Sequence, residues 1–182
     1  MKKRILFIVA VMLLSVTTMT AQSFTGKWKL EKEFFELAER ESDGIKVFVT
    51  LDISKKNMDV CFLMMAAQDK DGYEMEILLT YLGTYTKKGN RVTATFDYNK
   101  AEFKVVDLKV QDPELAEMMS TKEGKESLLA LVNVQLKNQK DELLPEMYDV
   151  IKSLFSDFTV KDLKAQKLTI QTQEDIELNF LR

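Results

Sequence analysis

Between Ile45 and Val110 the chain alternates apolar and polar residues in short runs separated by turn-forming clusters, and this pattern narrows the fold more than any other feature. In Ile45, Val47, Val49, Leu51 and Ile53 every second residue is apolar; Lys46, Thr50 and Asp52 stand between them, with Phe48 the exception. Successive side chains of a β-strand point to opposite faces, so this spacing predicts a strand with one face in a core. Ser54-Lys55-Lys56-Asn57 is a turn leading to the run Met58 to Ala67, and Gln68-Asp69-Lys70-Asp71-Gly72 leads to Tyr73 to Thr86. Along that last run Tyr73, Met75, Ile77, Leu79, Tyr81 and Tyr85 share a face, with Gly83 a bulge or bend. Lys87-Lys88-Gly89-Asn90 closes a hairpin onto Val92, Ala94, Phe96 and Tyr98, and Tyr98-Asn99-Lys100 turns into Phe103 to Val110. Connections of about four residues join antiparallel neighbours, so the expectation is an up-and-down meander.

The period changes at Asp112-Pro113, a pair suited to an N-cap and a first helical residue. From there to about residue 156 helix formers dominate. Leu144, Met147, Tyr148, Ile151, Leu154 and Phe155 form one apolar stripe, and Leu128, Leu131, Val132 and Leu136 form another. Gly124 and Pro145 are expected to divide the region into one short and two longer helices. Strand character returns at Phe158 to Val160, Lys167 to Thr172 and Ile176 to Phe180, and Phe24 to Leu30 supplies a first strand; Glu31 to Arg40 reads as either strand or helix. The fold class is therefore mainly β: an antiparallel barrel of about eight strands with a helical insertion at 112–156. The run Val60 to Ala67 is apolar on both faces, and Leu78 and Leu82 extend its second face, so the helices are expected either to cover that outer face or to lie across the barrel mouth. Membrane or partner contact is the rival use of their stripes.

Residues 1–22 have the order of a cleavable secretory leader. Lys2, Lys3 and Arg4 precede an apolar run from Ile5 to Leu14 and a small, polar segment ending near Ala21. The apolar run is short of the roughly 20 residues that span a bilayer, so no stable membrane span is expected after cleavage, and a periplasmic or secreted domain at 23–182 remains. The only cysteine, Cys61, lies far from the cut, which removes N-terminal lipidation and any intramolecular disulfide, and it reads as a small buried apolar residue. The leader holds three of the 26 Lys and Arg and none of the 29 Asp and Glu, leaving net −6, a balance that gives no electrostatic reason to bind nucleic acid. The chain has no histidine, which closes imidazole-based acid–base, nucleophilic and zinc chemistry to it.

Thr25-Gly26-Lys27-Trp28-Lys29-Leu30 places a G-x-W at the start of the first strand, and the chain ends Leu178-Asn179-Phe180-Leu181-Arg182. This pairing resembles the lipocalin, or calycin, signature. The stretches Gly83 to Val92 and Val160 to Ile170 are similar to strands of small lipocalin-like proteins exported by Bacteroidetes. The resemblance covers nearly all of the domain except the helical region, which ordinary lipocalins lack before their last strands. It implies that Gly26, Trp28 and Arg182 form a structural unit, with Trp28 closing the barrel bottom and Arg182 packed over its ring. It also implies non-covalent binding of a small apolar or amphipathic molecule, without cofactor or metal.

Candidates to line such a cavity are Phe48, Phe62, Met64, Met75, Tyr81, Tyr85, Phe96 and Phe103. The same side chains serve equally to fill a barrel, since an eight-stranded interior is wide enough for either use. Carboxylate pairs such as Glu31/Glu33 and Glu74/Glu76 read as solvated strand faces. Asp69-Lys70-Asp71-Gly72 lacks the first and last ligands of a calcium loop and reads as a turn. Two expectations follow. The first is a non-enzymatic exported binder of a small hydrophobic ligand, and the second an envelope interaction module with a solid barrel and a helical partner surface.

Overall fold

The alternation at Ile45 to Ile53 becomes a strand whose Val47, Val49, Leu51 and Ile53 are buried and whose Lys46 and Phe48 face out. The computed structural model describes residues 23–32, 34, 45–68 and 72–182. The expected secretory leader at 1–22, Glu33, nearly all of the ambiguous segment to Arg40, and residues 69–71 of an expected turn lie outside the described residues. The described elements are β1 (Gly26–Leu30), β2 (Ile45–Ile53), β3 (Met58–Gln68), β4 (Tyr73–Tyr81), β5 (Gly83–Lys88), β6 (Arg91–Phe96) and β7 (Glu102–Val110). They are followed by α1 (Pro113–Met119), α2 (Lys122–Gln135), α3 (Lys137–Phe155), β8 (Asp157–Leu163), β9 (Lys167–Thr172) and β10 (Glu177–Leu181).

Ten antiparallel strands form one curled, half-barrel sheet in the order β5-β6-β8-β9-β10-β1-β2-β3-β4-β7. Sequence neighbours pair from β1 to β4, in β5–β6 and from β8 to β10, as a meander requires. The departures are that β7 returns to β4, β6 pairs with β8 across the helices, and β10 pairs with β1. Ten strands stand where about eight were expected: the run Tyr73 to Thr86 is split in two, while the turn expected at Tyr98 to Lys100 is present. The Gly83 N–H leaves the ladder for the Asp59 carboxylate at 3.2 Å, ending β4 at Tyr81. On the facing arm a single 3₁₀ turn at Tyr98–Lys100 separates β6 from β7. Gly83 is required at this bend, because a Cβ there would lie 2.6 Å from the Phe96 ring and 2.7 Å from the Met58 carbonyl oxygen.

The helical region is one short helix and two longer ones, as expected, but with different boundaries. Asp112 caps α1, accepting from the Glu114 and Leu115 N–H groups at 3.0 Å, with Pro113 in the first turn. The next break falls at Thr121, whose hydroxyl caps α2 by accepting from Gly124 N–H at 3.1 Å, so Gly124 lies inside the first turn rather than at a boundary. Pro145 lies within α3 and does not end it.

α3 lies on the concave side of the sheet. Its Leu144, Ile151, Leu154 and Phe155 are buried in one cluster with Trp28, Phe62, Tyr81, Leu168 and Phe180 from the strands. Phe155 meets the Phe180 ring at 6.4 Å, and the Tyr81 hydroxyl donates to the Leu144 carbonyl at 2.6 Å. Of the two placements expected for the helices, the outer face of β3 and β4 is not where α3 packs; its neighbours include β6, β8, β9 and the turn at Tyr98–Lys100. The outer row Phe48, Leu63 and Leu78, cross-strand partners in β2, β3 and β4, stays exposed or half-buried. Cys61 also lies on this outer face, half-buried rather than in the core, with the Thr80 hydroxyl 3.8 Å from its sulfur; burial pushes its thiol pKa up.

α1 and α2 run beside β7, an end strand of the sheet. Asn133 stands where a neighbouring strand would: its amide oxygen accepts from Val105 N–H at 2.8 Å and its amide nitrogen donates to the Val105 carbonyl at 3.4 Å. Unpaired strand edges invite pairing with other chains, and a side-chain amide here satisfies both groups of one edge residue. Leu129 and Val132 pack against the core from α2, but Leu131, expected in that stripe, is 54 % exposed because it projects away from β7.

Candidate functional site

Two groups of sequence-selected residues meet in space. The first is Gly26, Trp28 and Arg182. Trp28 is fully buried, and its indole N–H donates to the Phe24 carbonyl at 3.0 Å. The Arg182 guanidinium lies over the Trp28 ring, 4.5 Å from its centroid, and donates to the Thr25 carbonyl and, at 3.5 Å, to that of Ser23. Gly26 has φ +139°, a conformation that side chains rarely adopt, and a Cβ there would run into the guanidinium. The glycine of G-x-W is thus needed twice: for its backbone conformation, and to let Arg182 reach the ring.

The second group is the set of cavity candidates. The register puts Phe62, Met64, Met75, Tyr81, Tyr85, Phe96 and Phe103 on the concave face, through pairs such as Phe62↔Leu79, Leu79↔Phe103 and Tyr85↔Ala94. Phe62 and Tyr81 are fully buried, and Met64 and Phe96 nearly so. Met75, Tyr85 and Phe103 are partly buried against the same core. Phe48 belongs elsewhere. It is 40 % exposed on the convex face, because its even position in β2 opposes that of Val47 and Val49. Burial raises the phenol pKa of Tyr81, with Tyr98 nearby adding to it, and burial raises that of Tyr85. The Tyr85 hydroxyl donates to the Ser54 carbonyl at 2.9 Å, so both inward tyrosines spend their hydroxyl protons on backbone carbonyls.

Leu144, Ile151, Leu154 and Phe155 of α3 belong to the same buried cluster as these strand side chains. Two recesses among the described residues are lined mostly by residues outside this cluster. An open cleft of about 640 Å³ lies at the bend between β4 and β5, and includes Asp59, Tyr98 and Tyr148, none of them singled out in sequence as ligand-facing. Their only sequence signal is the turn Tyr98-Asn99-Lys100 and a tyrosine in the α3 stripe. A smaller recess of about 210 Å³ at the far end of β3 and β4 includes Glu74, Glu76 and Lys109. Its Glu74 is paired with Lys109 at 2.8 Å, which matches the reading of these carboxylates as a solvated face.

Among the described residues, no group of acidic and thiol side chains is placed to hold a metal ion, and no helix is long and apolar enough to cross a membrane. No protein-family model matches the chain, and no curated protein matches it.

Proposed function

We propose that the chain is a non-enzymatic, exported interaction module of lipocalin-like build, with a solid barrel and a partner surface on α1 and α2. The pairs Thr80↔Glu102 and Gly83↔Phe96 flank the two interruptions, so β4–β5 and β6–β7 read as the arms of one kinked hairpin. Counted that way, eight strands follow one another around a barrel, with β10 back on β1. The guanidinium of Arg182 over Trp28 supports the same kinship.

One observation supports the functional reading: the stripe of α3 packs into the core of the concave face, while apolar side chains on the other helices are exposed. Val134 is 71 % exposed, Leu131 54 % and Met118 47 %. A helix stripe packed among the candidate ligand-lining side chains favours a solid barrel, and exposed apolar side chains gathered on one pair of helices suit a protein partner.

The test is native mass spectrometry of the protein cross-linked in its source and then isolated. A defined complex or oligomer that disappears in Val134→Glu, with thermal stability unchanged, is the expected result. A monomer that retains a lipid-sized mass would overturn it and return the function to the interior, among Phe62, Met64, Met75, Tyr81, Tyr85, Phe96 and Phe103.

A further inference from the structure

The bend between β4 and β5 and the turn between β6 and β7 face each other, joined where the Asp97 N–H donates to the Leu82 carbonyl at 3.0 Å. The cleft of about 640 Å³ opens there, within the ~300–1,000 Å³ typical of small-molecule sites. We propose that this cleft binds a neutral carbohydrate, taking one or two sugar rings. The proposal is independent of the partner surface on α1 and α2.

One wall is aromatic and held still. Tyr98 is 37 % exposed, and its ring meets Tyr148 edge-to-face, with centroids 5.5 Å apart. Tyr148 is fixed from behind, its hydroxyl donating to the Phe96 carbonyl at 3.1 Å and its ring 6.1 Å from that of Tyr81. The turn that carries Tyr98 is pinned by Asp97, which accepts from Asn99 N–H at 3.1 Å and pairs with Lys100 at 2.8 Å. An aromatic face carries partial negative charge and attracts the polarised C–H groups on the flat side of a pyranose. A ring held before the ligand arrives loses little entropy on binding.

The other wall is polar. One oxygen of Asp59 accepts from Gly83 N–H, which orients the carboxylate. Thr84 and Thr95 are cross-strand partners whose exposed hydroxyls add paired donors and acceptors, and Asn57 and Asn99 add amides. Such a mixture of two-way hydrogen-bonding groups beside an aromatic face matches a molecule with hydroxyls on its rim and C–H groups on its faces.

Charge narrows the class. Lys100 neutralises Asp97, which leaves Asp59 as the uncompensated charge of the lining and disfavours an anionic ligand. A wholly apolar ligand would strip water from Asp59, Asn57 and Asn99 and return no hydrogen bond.

The experiment is an NMR titration of the uniformly ¹⁵N-labelled domain with glucose, galactose, maltose, cellobiose and chitobiose at millimolar concentrations, with spermidine as a cationic probe. Saturable shifts from at least one sugar, confined to residues 57–59, 83–84, 95–100 and 148, are expected. Tyr98→Ala should weaken that binding about tenfold or more, and Thr95→Trp, which fills the cleft from an exposed position, should abolish it should Tyr98→Ala fail to fold. No saturable shift from any sugar, shifts lying elsewhere, shifts that persist in the folded variants, or a response to spermidine alone would each overturn the proposal.

Discussion

Gly26→Ala places a methyl group where Arg182 lies, and its effect can be worked out from the geometry. The new Cβ would approach Cζ and Nε of Arg182 to 3.0 Å and its terminal nitrogen more closely still. Alanine would also have to hold φ +139°, which costs ~1–3 kcal/mol for a residue other than glycine. Displacing the guanidinium gives up a cation–π contact of ~0.5–2 kcal/mol, and weakens a charged hydrogen bond to the Thr25 carbonyl worth ~1.5–3 kcal/mol. The long Arg182 side chain recovers part of those two losses by re-seating, so the net destabilisation should be about 3 kcal/mol, or a melting temperature lower by about 6–12 °C. Urea unfolding followed by the fluorescence of Trp28, the single tryptophan, measures it directly. Repeating the substitution in an Arg182→Ala background removes the collision and leaves the backbone strain. The glycine substitution should then cost ~1–3 kcal/mol, with a coupling energy of about 1 kcal/mol or more between the two positions. A single-variant loss below ~0.5 kcal/mol, as at an ordinary surface position, or a cycle without coupling, would refute this account of the G-x-W.

Ile151→Asp puts an unpaired carboxylate at a fully buried point of the α3 stripe, and should unfold or severely loosen the domain, by more than ~4 kcal/mol in thermal or urea denaturation. Asn133→Leu strips the Val105 backbone of its edge partner and should lower stability by ~1–3 kcal/mol, with faster amide exchange at Val105 as the local signature. Phe62→Ala should cost ~3–5 kcal/mol while Phe48→Ala costs ~1 kcal/mol or less, since one lies in the core and the other on the convex face. The phenol of Tyr81 has its pKa raised above 10.0 by burial, so the folded state holds that proton more tightly than the unfolded chain does. Stability from this source is complete below pH 10 and falls as pH rises beyond it. Tyr81→Phe should flatten the alkaline fall seen in denaturation curves, with Tyr85, also raised by burial, retaining part of it.

The elements that proved readable are those whose signal is local. Strict alternation in β2 and the 3.6-residue stripe of Leu144 to Phe155 each depend on one segment burying one face, and both faces came out as read. Phe48 did not, because an aromatic residue suggests burial whichever face it occupies, and only its parity in β2 decides. β3 is apolar on both faces, which suggested a covering helix; in the structure Leu63 and Leu78 remain half-buried on the convex side. The return of β7 to β4, and of β8 to β6 across three helices, depends on chain closure at long range that no local pattern encodes. Leu131 was assigned inward by spacing alone, and faces solvent because α2 packs on the edge of the sheet rather than on a face. Asn133 and the Asp59–Tyr98–Tyr148 cleft are invisible in sequence for the same reason, since each arises from tertiary apposition of ordinary polar and aromatic residues.

The pairing of Lys29 with Leu181 and of Leu30 with Phe180 has a kinetic consequence. This seam joins segments from opposite ends of the described chain, so its formation bears the largest loop-closure entropy in the sheet, and native contacts of such long sequence range slow folding. Until the seam zips, β1 and β10 each present an open strand edge, and the β10 of a second molecule fits β1 as well as its own. Refolding at high concentration is therefore expected to raise the share of exchanged dimers, in which each Trp28 is covered by the other chain's arginine, as size-exclusion chromatography over a dilution series would read.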